Sequence, residues 1–237
     1  MPLRVTPASG PLYRRKEFRI WPEDSNINGG RTRFTDPLTT PPDELTSFIT
    51  SEWQVCFGPD SGTAGSTLDG LLNLGVTGLT TTGGGTAKCA FLPTKLSQDL
   101  LSGANQYSQI TVVSNAPSGT PGAGNAIGPG VCIDPNRGNA YWLCIRKVGL
   151  AVDVFKSGSV SLASLGTIPS VVAGDTLRIE AALSVGFTTI RAYLNGTLQG
   201  TFVDAVGPIS YGMPGIYFFG NDAGVSCTMA NYDGGLL

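Results

Sequence analysis

Between Thr176 and Phe202 the chain alternates apolar and polar positions with few interruptions. Leu177, Ile179, Ala181 and Leu183 alternate with Arg178, Glu180 and Ala182. That period of two predicts a strand with one buried and one wet face. Ser184 to Phe187 predicts a turn, after which Ile190, Ala192 and Leu194 alternate with Arg191 and Tyr193. Asn195-Gly196 then separates this run from a third, in which Leu198 and Phe202 are expected to resume the apolar face. Asn-Gly between alternating runs predicts a type I′ hairpin, because both central residues of that turn need positive φ. The stretch therefore predicts a three-stranded meander.

The same reading along the chain predicts strands at 53–57, 87–92 (stopped by Pro93), 107–113, 130–133, 139–146, 151–156, 160–165, 217–219 and 227–231. Glycine-rich loops are expected at 58–70 and 83–85, and a long loop of small residues at 115–129. Residues 96–101 are the one candidate for a helical turn. Short strands at this spacing predict a sandwich or barrel. The first fifty residues read differently. Seven prolines break regular structure there, yet Leu12, Tyr13, Phe18, Ile20, Trp21 and Phe34 are too apolar to leave in water. An extended arm over residues 1–50, with an edge-like strand at 16–21, is expected ahead of a single β-sandwich over 51–237.

Ala173 to Ala181 (AGDTLRIEA), Ile190 to Gly200 (IRAYLNGTLQG) and Gly215-Ile216 resemble the concanavalin A-like (laminin G-like) jelly-roll family. The resemblance covers roughly Trp53 to the C-terminus. It implies an all-β, two-layer antiparallel jelly-roll, of the kind appended to bacteriophage virion proteins and secreted bacterial proteins. One fold hosts many functions, so the resemblance implies architecture first.

Glycine is abundant at 33 residues and only 14% of residues are charged, which agrees with strands and turns. The net charge of −2 is unevenly spread. Residues 1–40 hold seven basic and four acidic groups, a net of +3. Arg14, Arg15, Phe18, Arg19, Trp21 and Phe34 are accordingly the candidate assembly contacts of an arm docking on an acidic partner. Five cysteines without metal spacing read as small buried thiols.

Candidate chemistry is sparse. The chain has no histidine, which removes the commonest general base and a serine triad with it. Asp153 and Glu180 stand alone in their strands, where the jelly-roll glucanases carry clustered carboxylates. Gly83-Gly84-Gly85 and Gly122-Ala123-Gly124 lack a phosphate-loop continuation. Asp134, Asn136 and Asn139 form the oxygen-rich loop nearest to a calcium site, although a turn explains them more simply. Tyr141, Trp142, Tyr193 and Tyr211 are candidate glycan contacts, against the plainer reading of strand aromatics as packing.

The sequence-based expectation is thus a non-enzymatic bacteriophage virion protein without cofactor or metal. A capsid decoration or cement protein, held to the major capsid protein by its arm and assembled as a homo-oligomer (a trimer), comes first. A carbohydrate-binding tail fibre or receptor-binding protein, contacting host surface glycans, is the alternative. A bacterial lectin-like module is a third, for which an export signal is expected. Nucleic acid and membrane are not expected as partners. Residues 1–16 lack the apolar core of a signal peptide. Synthesis in the host cytoplasm and residence in the virion follow as the expected localisation.

Overall fold

The structure, a computed structural model, describes residues 33–36, 38, 53–57, 72–75, 78–81, 87–93, 103–115, 126–134, 139–145, 151–157, 162–220 and 227–237. Among the described residues every element is a strand. In chain order these are β1 (Arg33–Asp36), β2 (Trp53–Phe57), β3 (Leu72–Gly75), β4 (Gly78–Thr81) and β5 (Ala87–Pro93). Next come β6 (Gln106–Asn115), β7 (Ala126–Ile133), β8 (Ala140–Cys144), β9 (Ala151–Ser157) and β10 (Leu162–Ser170). The last five are β11 (Thr176–Ser184), β12 (Phe187–Leu194), β13 (Thr197–Asp204), β14 (Met213–Gly220) and β15 (Cys227–Leu236). The predicted helical turn at 96–101, the loops at 58–70 and 83–85 and the edge strand at 16–21 lie outside the described residues.

Two antiparallel sheets make the sandwich. The first runs β13-β12-β11-β6-β15-β4-β3, with β1 also paired to β15. The second runs β10-β9-β8-β7-β14-β5-β2. Ile110, Val112, Leu177, Ile179, Ala181, Ile190 and Ala192 of the first sheet face Val131, Leu143, Val152, Val154 and Ile216 of the second in one buried cluster. The all-β two-layer expectation holds.

The meander forms as the alternation predicts, and its turns explain the motif residues. Asn195 and Gly196 have φ of +51° and +77°, the pair of positive values that a type I′ turn requires. The Asn195 side chain accepts from Thr176 N–H (2.8 Å) and donates to Asp175 Oδ1 (2.8 Å). The other Asp175 oxygen accepts from Val172 N–H at 2.7 Å. One set of hydrogen bonds thus ties the AGDT and YLNG turns to each other.

Four expectations need correction. Leu198 does not resume the buried face. A bulge between Ala192 and Tyr193 shifts the register so that Leu198 opposes Tyr193, on the outward face, and is half exposed. Gly200 and Phe202 take the inward positions instead, and a Cβ on Gly200 would lie 2.8 Å from the Phe202 ring. The loop expected at 115–129 ends early, since β7 begins at Ala126. Its Ala, Gly and Pro content hid it; Gly128 lies so close to the Leu143 carbonyl that no side chain fits. The strand expected at 160–165 runs from 162 to 170, because Pro169 sits at an irregularity of an edge strand, where its missing N–H costs nothing. Finally, Phe34, placed among the arm's outward contacts, is 3% exposed. As part of β1 it pairs with Gly234, and its ring lies 6.2 Å from that of Tyr232. Leu38 is buried beside it, with its N–H bound to Asp36 Oδ1.

Candidate functional site

Strands with one buried face put every second residue on the other. On the first sheet that outward set includes Arg191 and Tyr193 (β12), Arg178 and Glu180 (β11), Tyr107 and Gln109 (β6), Asp233 (β15) and Arg33 (β1). Register places Glu180 opposite both Tyr107 and Arg191, and Asp233 opposite Gln109 and Thr35. Residues 200 positions apart in the chain thereby become neighbours.

They form one linked network. Arg178 Nε donates to Glu180 Oε1 at 2.8 Å, and Tyr193 Oη donates to Glu180 Oε2 at 2.8 Å. The Arg178 guanidinium lies 3.9 Å from the centre of the Tyr107 ring, a cation–π contact. Tyr107 Oη donates to Asp233 Oδ1 at 2.8 Å. Arg33 closes the chain with two bonds to Asp233, at 2.9 and 2.8 Å. Burial, with the Asp233 contact, pushes the Tyr107 hydroxyl up to about 12. Burial, with Glu180 beside it, also raises Tyr193. Both hydroxyls therefore stay protonated and donating at neutral pH.

Beside this network the surface turns apolar. Leu198 lies across from Tyr193 on β13, and Phe187 and Val203 are exposed farther along the same two strands. A partly exposed tyrosine ring, fixed by its own hydroxyl and set beside an apolar side chain and polar groups, is a surface that can stack and hydrogen-bond a ligand at once.

The sequence-predicted glycan contacts divide. Tyr193 belongs to this face. Tyr211 is exposed in the segment leading into β14 of the other sheet, and its hydroxyl meets Asp134 Oδ2 at 3.1 Å. The structure does not bring the two together. Tyr141 and Trp142 are fully buried, which corrects their assignment as contacts. Tyr141 Oη donates to Asp204 Oδ2 at 2.5 Å and accepts from Ile209 N–H at 2.8 Å, so it pins the loop after β13. Burial, with the Asp204 bond, pushes this hydroxyl up as well. Trp142 packs 4.8 Å from the Tyr217 ring and 6.0 Å from Phe155, and Nε1 donates to Ser157. β8 is buried on both faces, as its unbroken apolar run AYWLC requires.

Of the assembly contacts, Arg14, Arg15, Phe18, Arg19 and Trp21 lie outside the described residues, as does Asn136 of the calcium candidate. Among the described residues no group of three or more His, Cys, Asp or Glu could hold a metal ion. Cys132 and Cys144 are buried, and burial pushes the Cys132 thiol up. No helix of the described residues is long and apolar enough to cross a membrane.

No family model and no curated protein matches the chain. Solved structures match in fold. An endo-1,3-β-glucanase from Streptomyces sioyaensis is similar at 12% identity, with a TM-score of 0.50 over 86% of this chain and 96% of the other. A carbohydrate-binding module from Bacillus subtilis gives 14% identity and 0.48, over 76% and 94% of the two chains. A legume lectin-like domain from Entamoeba histolytica gives 12% and 0.43, over 78% and 90%. At such identities the likeness is one of fold alone.

Proposed function

We propose that the chain is a non-enzymatic carbohydrate-binding β-sandwich whose ligand lies on the outward face of β11 and β12. The observation that supports this reading is the Tyr193 ring. It is held by Glu180, partly exposed, and lies across from Leu198 on β13. Apolar faces of a pyranose stack on such a ring while its hydroxyls meet the surrounding polar groups. The endo-1,3-β-glucanase of like fold is by name an enzyme acting on a glucan, which makes a saccharide the ligand class to test.

Binding rather than hydrolysis is favoured by how the two carboxylates are used. Retaining hydrolysis needs two carboxyl groups about 5–5.5 Å apart, facing one bond. Glu180 is engaged by Arg178 and Tyr193, and Asp233 by Arg33 and Tyr107. Each serves its own arginine–tyrosine pair.

The test is a glycan array probed with the protein and with Tyr193→Ala. Saturable binding that weakens about tenfold in the variant is expected, the size of one lost stacking contact. Silence across a broad array, or a variant that binds equally well, contradicts the reading.

The setting we propose for this domain is a bacteriophage virion, with residues ahead of β1 as its anchor. Their basic and aromatic content supports it. A chain lacking residues 1–32 is expected to lose its place on the particle. Unchanged occupancy refutes the anchor and leaves the sugar-binding reading standing.

A further inference from the structure

Among the described residues, the outward face of the first sheet carries three arginines against two carboxylates. Asp233 takes Arg33, and Glu180 takes Arg178, each at 2.8 Å. Both Glu180 oxygens are committed, Oε1 to Arg178 and Oε2 to Tyr193. Arg191 is left over. It stands on β12 with Glu180 across from it on β11 and Thr201 on β13. It is partly buried, and among the described residues no hydrogen bond or ion pair engages it. A partly buried guanidinium is costly to leave without a counter-charge.

We infer that the saccharide held on this face is acidic, and that Arg191 reads its carboxylate or sulfate. The inference rests on the carbohydrate-binding reading above. Arg191 and Tyr193 point the same way from one strand, two residues and therefore about 7 Å apart. That spacing lets a sugar ring lie on Tyr193 while a charged ring substituent reaches Arg191. The guanidinium fork matches both carboxylate and sulfate, with two parallel N–H···O bonds in either case. The neighbouring Glu180 is engaged by Arg178 and the Tyr193 hydroxyl, and no ion pair joins it to Arg191 among the described residues.

The experiment is calorimetric titration of the full chain with three tetrasaccharides at low salt. One is uncharged (cellotetraose), one carries carboxylates alone (tetragalacturonate), and one carries sulfates alone (a carrageenan tetrasaccharide). Binding of at least one acidic ligand about tenfold or more tighter than cellotetraose is expected, and weaker at high salt. Arg191→Gln is expected to bring that affinity down to the neutral level. The carboxylate and sulfate arms identify which group is read. Equal binding of neutral and acidic ligands overturns the inference but leaves the carbohydrate-binding reading intact, and so does an acidic preference that survives in Arg191→Gln. Binding of none of the three, after silence on the array, overturns both.

Discussion

Asp204 shows how a single residue carries both structure and pH dependence. It sits at the end of β13, where Lys156 Nζ reaches it at 2.6 Å, Tyr141 at 2.5 Å and the Val206 N–H at 3.1 Å. Burial pushes its carboxyl up, but the Lys156 and Tyr141 bonds outweigh burial and hold it below its ordinary 3.8. A carboxylate with a depressed folded-state value stabilises the fold above its unfolded value and loses that contribution as pH falls through the folded one. Asp204→Asn is therefore expected to cost about 2 kcal/mol in urea unfolding near neutral pH. The gap between the two proteins should close below about pH 4. A gap that persists unchanged into acid would mean the ion pair contributes nothing. Tyr141 illustrates what a sequence does not disclose at this scale. Its alternating position next to Trp142 is equally compatible with a surface platform and with a latch on a distant loop. Only its partners Asp204 and Ile209, 63 and 68 residues away, decide.

At the scale of the element, period-two alternation made the meander legible to within a residue or two, because each of its strands has one face in the core. It failed where a strand departs from that rule. β7 is built from Ala, Gly and Pro, so that neighbouring backbone can approach, and it carries little hydrophobic signal. β13 keeps its signal but changes phase at the bulge, which no pattern of residue types announces. The phase change is open to test. Leu198→Ser is expected to alter unfolding free energy by no more than about 0.5 kcal/mol, as at other exposed positions. Phe202→Ser should cost about 2–3 kcal/mol, since its ring fills the space above Gly166 and Gly200. Equal costs for both would contradict the register. β1 is the counterpart at the sheet's other side. Four residues that read as part of an arm contribute a core side chain, so Phe34→Ala is expected to destabilise by about 3 kcal/mol in the same assay. A loss under about 1 kcal/mol would return Phe34 to the arm.

For the molecule as a whole, the sheets are joined by pairings remote in sequence. β6 lies between β11 and β15, and β14 lies between β5 and β7. This is why the candidate site was only partly readable. Tyr193 could be singled out from its alternating position. Tyr107, Asp233 and Arg33 could not, since their meeting with Arg178 and Glu180 depends on strand order. Two of the four aromatics picked from the sequence turned out to be packing, and the polar network that surrounds a third was invisible without β6 and β15 in place. The central claim is that this assembled outward face, and no other part of the sandwich, takes a saccharide. It is tested most directly by backbone amide NMR of the isotope-labelled protein during titration with a glycan selected on the array. Saturable shifts concentrated on 178–182, 189–193 and 198–201, with 107–109 following, are expected. Shifts concentrated instead around Asp134 and Tyr211, with residues 189–193 unmoved, would contradict it.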